Sequence, residues 1–277
     1  MLPESGGRDS RSRRASPSPA EFAYPCLMLS SLKRIFARTA SPAPAVGEAH
    51  WSRVEAGLPF LDHLAPAERA RLRGMALEFI AAKEWHGAQG LRLTQDIQLS
   101  IALQACLPVL NLGLDSYKGW VGVIVYPGDF VIPRKQMSED GVVHEFDDEV
   151  AGEAWEGGPV LLSWFDDPQE ADGMNVVIHE FAHKLDMLNG PPDGLPPLHE
   201  GMRRQAWIDA FEPAYADFCD RVDAGEETWI DPYAAESPAE FFAVTSEVFF
   251  EAPEVLRAEY PAVYDQLRQF YRQDPLR

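Results

Sequence analysis

Cysteine is scarce in this sequence of 277 residues: Cys26, Cys106 and Cys219 are all there are, and no two stand at Cys-x-x-Cys spacing. That argues against a disulfide framework and a cysteine-rich zinc site, and it fits a reducing, cytoplasmic setting with the thiols as small buried hydrophobes. Long apolar runs are missing too. Stretches such as Trp120 to Tyr126 and Val176 to Ile178 stop far short of the roughly 20 residues a membrane-spanning helix needs. Positive charge is in short supply, with 24 Lys and Arg against 44 Asp and Glu, a net charge of −20. Phosphate contacts need clustered cations, so a general nucleic-acid binder is disfavoured, and the same negative surface repels anionic lipid.

What is present reads as an α+β protein. Residues 1–45 hold seven basic side chains among many Ser, Pro and Ala, the composition of a disordered arm. A transit-peptide-like or nucleic-acid-binding tail, or an upstream extension before a start at Met28, are the competing readings of that stretch. Residues 46–277 are expected to form one domain. Its first part, 51–112, has apolar residues near helical spacing, with Pro66 where a first turn tolerates it and a second helix from about Asp96 to Ala105. Between residues 120 and 164 the texture changes to short β-rich runs, Val121 to Tyr126, Phe130 to Pro133, Val142 to Phe146 and Val160 to Trp164, punctuated by glycine. They predict a small, mostly antiparallel sheet. Helices return over 175–251.

The chemistry concentrates in His179-Glu180-Phe-Ala-His183, a His-Glu-x-x-His pattern framed by Asn175 as a helix cap and by Asn189-Gly190 as a stop. Residues four apart share a helix face with Cβ atoms about 5–6 Å apart. Both imidazoles can therefore converge on one cation, with Glu180 beside it to take a proton from water. Chance would give the pattern in roughly one chain in a hundred with this histidine content. With no paired cysteines, the expected set is two histidines plus one carboxylate, and spacing alone leaves Glu236, Glu240 and Glu247 open as the third ligand. Ser237-Pro-Ala-Glu240 also reads as a capping box, which would give Glu240 a purely structural role. Asp186 can reach back one turn toward His183 or lie solvated at the helix end, and Glu247 fits an outer role behind a ligand or a surface one. His50, His63, His86, His144 and His199 have no ligand spacing and read as structural or exposed.

The segments His179 to Asp186, Tyr233-Ala-Ala-Glu-Ser-Pro-Ala-Glu-Phe-Phe-Ala-Val244 and Gly158-Pro-Val-Leu-Leu-Ser-Trp164 resemble the Mlc titration factor A family of bacterial metallopeptidases, itself similar in its active site to the catalytic domain of anthrax lethal factor. The resemblance spans most of the chain after about residue 50. It implies a zincin-like metallopeptidase domain with one Zn2+ held by His179, His183 and Glu240, and with Glu180 and Tyr233 as catalytic residues. It also implies aminopeptidase activity on small amino-acyl or peptide substrates, and binding to an Mlc-type repressor of sugar uptake. The alternative is a regulatory anti-repressor module whose zinc site is mainly structural. In zinc peptidases of this build an edge strand above the metal helix pairs with extended substrate, and Val160 to Trp164 is the candidate.

Overall fold

The computed structural model describes residues 46–137, 143–165 and 175–277; the expected arm over 1–45 lies outside them. Among these residues, eight α-helices and six strands follow in the order α1 (Glu48–Glu55), α2 (Pro66–Ala82), β1 (Glu84–Gly87), α3 (Gln95–Cys106), β2 (Gly122–Tyr126), β3 (Phe130–Met137), β4 (Val143–Val150), β5 (Gly152–Ala154), β6 (Val160–Ser163), α4 (Val176–Asp186), α5 (Arg204–Asp223), α6 (Pro238–Glu251), α7 (Pro253–Glu259) and α8 (Pro261–Tyr271). No helix among the described residues is long and apolar enough to cross a membrane.

The expectation of a mostly antiparallel sheet needs correction. The main sheet has the order β1-β2-β6-β5, with β1–β2 and β2–β6 parallel and only β5–β6 antiparallel. Antiparallel pairing otherwise belongs to a separate hairpin, β3–β4. The physical reason lies in the crossovers: β1 is carried to its parallel neighbour β2 by the intervening helix α3, a connection long enough for the chain to return in the same direction. Strand β1 falls inside 51–112, which pattern alone reads as helical. Helix α2 ends where Lys83 turns extended (φ −107°, ψ 151°), and the four half-buried residues after it pair with β2 instead.

Alternation along β2 and β6 sends Val123, Val125, Val160 and Leu162 into the main core, while Ile124 and Leu161 face the other side and pack with Phe130. Helix α4 lies against β5 and β6 and packs on α6. Its anchor is Phe181, fully buried among Phe79, Tyr117 and Trp120 at ring-centroid distances of 5.0–5.8 Å. A fully buried phenylalanine contributes about 1.5–3 kcal/mol, and because Phe181 sits two positions from both histidines it fixes the face they present.

Candidate metal centre

Helix α4 starts at Asn175, whose Oδ1 accepts from the Ile178 N–H at 2.9 Å, and runs to Asp186 before one short 3-10 turn to Asn189. Its polar residues His179, Glu180 and His183 are all buried. Helix α6 begins at Ser237, with Pro238 in the first turn, and Ser237 Oγ accepts from the Glu240 N–H at 3.1 Å. Only half of the expected capping box is therefore used. The Glu240 carboxylate turns away from the helix start to meet the two histidines.

His179 Nε2, His183 Nε2 and Glu240 Oε2 form a triangle with sides of 3.0, 3.1 and 3.2 Å. This trio can hold a metal ion among the described residues. Tetrahedral ligands at about 2.0–2.1 Å from zinc stand about 3.3–3.4 Å apart, so the triangle needs only a few tenths of an ångström of expansion. Donor chemistry supports the same fit. Glu247 Oε1 lies 2.7 Å from His179 Nδ1 and takes that nitrogen's proton as a hydrogen bond. His179 Nε2 then presents a lone pair to a carboxylate oxygen and to the second imidazole. Such an arrangement calls for a cation at its centre, either a second proton or a metal ion. Burial lowers the His179 pKa, but the hydrogen bonds to Glu240 and Glu247 outweigh it and hold the imidazole well above its ordinary value. Glu240 shows the reciprocal effect: burial raises its pKa, and the two histidines bring the carboxyl well below the usual range.

Glu180 stands apart from the triangle. Burial pushes its carboxyl up to about 7, against the pull of His179 and His183, and its Oε2 has no hydrogen-bond partner. A base with a pKa near neutrality is suited to proton transfer. Room for it comes from Gly152 at the start of β5, where a Cβ would lie 2.6 Å from Glu180 Oε1 and 2.5 Å from Val176 Cγ2. Tyr233 sits in a 3-10 turn over Pro232–Ala235 that Asp231 caps by accepting the Tyr233 N–H at 2.8 Å. Its ring centroid is 6.0 Å from that of His179, and the side chain is 45% exposed. Partial desolvation, then the charges of Glu240 and Glu180, push its phenol well above the ordinary tyrosine range.

Glu236 ends the Tyr233 turn and stays outside the triangle, as do His50, His63, His86 and His199. His50 bonds Asp96 and His63 Nδ1 donates to the Phe60 carbonyl, while His199 Nε2 lies 3.0 Å from the Gln269 carbonyl. His86 lies in β1 and His144 in β4. Asp186 is fully buried, and its Oδ2 accepts the Gly194 N–H at 2.7 Å, so it holds the following loop and is neither solvated nor hydrogen-bonded to His183. Glu247 is buried and lies behind His179; its spacing of seven residues from Glu240 was the available signal. Lys184, which pattern did not single out, is buried with Nζ bonded to the carbonyls of Trp155 and Gly158, tying the β5–β6 turn to α4. The expected edge strand needs correction as well: β6 is flanked by β2 and β5, and the edge beside Glu180 is β5.

Residues 32–272 match the family described as glucose-regulated metallo-peptidase M90. The chain belongs to this family. Among its relatives, Mlc titration factor A of Klebsiella pneumoniae (strain 342) is 40% identical over 233 residues, covering 83% of this chain and 88% of that protein. Mlc titration factor A of Yersinia pestis (strain Pestoides F) is 41% identical over 225 residues, covering 79% and 83%. An M90 metallo-peptidase requires a metal, and the triangle on α4 and α6 offers ligands suited to one.

Proposed function

We propose that this M90 family member is a zinc-dependent, cytoplasmic peptidase of aminopeptidase type. In this reading residues 46–277 form one catalytic unit, His179, His183 and Glu240 are its ligands, Glu180 is the general base and Tyr233 is a hydrogen-bond donor to the developing oxyanion. The observation that carries the reading is the triangle of three ligand atoms beside a buried, near-neutral Glu180 that is not part of it. A purely structural site has no use for that fourth group. When bound, zinc supplies Lewis-acid polarisation of the scissile carbonyl and lowers the pKa of water.

The chain's own residues do the rest. Glu180 accepts a proton from the attacking water and returns it to the leaving amine. Tyr233, whose raised pKa keeps its O–H protonated, donates to the carbonyl oxygen as negative charge builds there. Edge strand β5, next to Glu180, is suited to pair with an extended substrate backbone.

Metal analysis combined with turnover of chromogenic amino-acid amides tests the assignment. Wild type and Glu180→Gln should both hold zinc, and Glu180→Gln should turn over about 10²–10⁴-fold more slowly. His179→Ala and His183→Ala should lose the metal. Unimpaired turnover in Glu180→Gln rejects it as the base, and full occupancy in both histidine variants rejects the site. The relatives' name favours a second, compatible role, binding of an Mlc-type repressor. Titration of such a repressor with Glu180→Gln tests it, since a binding role should survive the loss of catalysis.

A further inference from the structure

Behind His179 lies a buried polar chain that reaches a helix with no ligand on it. Glu247 has two oxygens, and each is held by a different partner. Oε1 lies 2.7 Å from His179 Nδ1, and Oε2 accepts the backbone N–H of Asn175 at 2.8 Å. The Asn175 side chain is in turn fully engaged. Its Oδ1 caps α4 through the Ile178 N–H, and its Nδ2 donates to Gln104 Oε1 at 2.9 Å and to Glu251 Oε1 at 2.6 Å. Gln104, on α3, is oriented by its own amide donating to the carbonyl and hydroxyl of Ser100, both at 3.3 Å. Asn175 and Gln104 are 8% and 7% exposed, so these partners have little competition from water. One residue thereby ties α3, α4 and α6 together at the point where Glu247 meets His179.

We propose that Asn175 and Gln104 are positioning residues for His179, holding the Glu247 carboxylate so that it takes the Nδ1 proton and leaves Nε2 free as a ligand. The physical argument is one of competition. A carboxylate with both oxygens free to rotate can meet an imidazole in several geometries. One oxygen pinned to a backbone N–H leaves the other a single direction, and that N–H is itself aimed by the side-chain bridges of Asn175. Partners of this kind behind a ligating histidine typically change metal affinity by about 10–100-fold. The proposal rests on the zinc assignment, and the experiment separates the two.

Asn175→Ser keeps a good cap acceptor but is too short to bridge to Gln104 and Glu251. Gln104→Leu removes the same bridge from the α3 side, and Gln104→Glu restores an acceptor. Zinc dissociation constants from chelator competition, melting temperatures of the metal-free proteins and the NMR signal of the His179 Nδ1 proton in the zinc-loaded proteins are the readouts. The expected result is weaker zinc binding by about 10-fold or more in Asn175→Ser and Gln104→Leu, recovery in Gln104→Glu, and a shifted or lost Nδ1 proton signal in the two weakened variants. A merely structural role would lower melting temperature and leave zinc affinity and the proton signal alone. Zinc affinity within about twofold of wild type in both variants overturns the proposal. If wild type itself binds no zinc, the metal assignment falls first.

Discussion

Glu240 shows how a residue's local and distant roles separate. Its backbone N–H serves the cap of α6 while its carboxylate faces the histidines, so Glu240→Gln removes the proposed ligand and leaves the Ser237 cap intact. Losing a cap costs about 0.5–2 kcal/mol, a loss this variant avoids. The expected outcome is a metal-free melting temperature close to wild type with zinc affinity reduced at least 100-fold, measured by chelator competition. Glu236→Gln, outside the triangle, should bind zinc normally; the reverse pattern would move the ligand to Glu236. At this scale the sequence was informative where spacing and chemistry coincide. The five-residue motif fixes the relation of His179 to His183, and the resemblance pointed to Glu240. Burial was not legible, which is why Glu247 and Asp186 stood open between inner and surface roles: a carboxylate on a helix looks the same whether it faces water or, like Glu247, an imidazole.

Helix boundaries were readable because caps are local chemistry, as at Asn175 and Ser237, whereas strand partners were not. Period-2 patterning in Val123 to Val125 and Val160 to Leu162 records which face is buried but not the direction of the neighbour. Strands β1 and β5 were missed because Glu84-Trp-His-Gly87 and Gly152-Glu-Ala154 are too short and too poor in β-branched residues to carry that pattern. Strand β5 nonetheless bears directly on the site. Gly152→Ala places a methyl group against Glu180 and Val176, and Glu180 must move. Displacing a catalytic group by about 1 Å can cost 10²-fold in rate, so kcat/KM should fall at least 10-fold with zinc content unchanged. Unchanged kinetics would separate β5 from the placement of Glu180. The segment leading into β1 makes a different prediction. Lys83 Nζ donates to the carbonyls of Tyr117 and Trp120 and lies 3.5 Å over the Trp120 ring, and burial lowers its pKa to about 8. An unfolded lysine titrates near 10.4, so between about 8 and 10 the unfolded chain binds more protons and wild-type stability gains from rising pH. Lys83→Met lacks that gain. The stability of wild type relative to Lys83→Met, from urea titrations, should therefore increase from pH 8 to pH 10; a constant difference would show that Lys83 has an ordinary pKa.

Charge acts over the whole molecule. Residues 1–45 hold seven basic and three acidic side chains, which leaves 17 basic against 41 acidic for the remainder. Part of that excess reaches the site, because Glu180 is raised by the charges of Glu240 and Glu153, and Tyr233 by those of Glu240, Glu180, Asp148 and Glu236. These carboxylates come from separate elements around one centre, with β4, β5, α4, α6 and the Tyr233 turn each supplying one. A field of this sign favours a cation over an anion in the cleft, even after a divalent metal offsets part of it. An unblocked α-amino group supplies such a cation to every substrate with a free N-terminus, and an acidic first residue works against it. Distant surface charge is screened over about 8 Å at physiological salt, so the preference should come from the carboxylates at the site and survive moderate ionic strength. The expected outcome is faster cleavage of short substrates with a free N-terminus and a neutral or basic first residue than of N-acetylated or Asp- and Glu-initiated ones, measured as kcat/KM at about 0.05 and 0.5 M salt. A preference that vanishes at the higher salt would place its origin in the general surface charge. Equal or faster cleavage of the N-blocked series at both would rule out aminopeptidase selectivity and make the protein an endopeptidase.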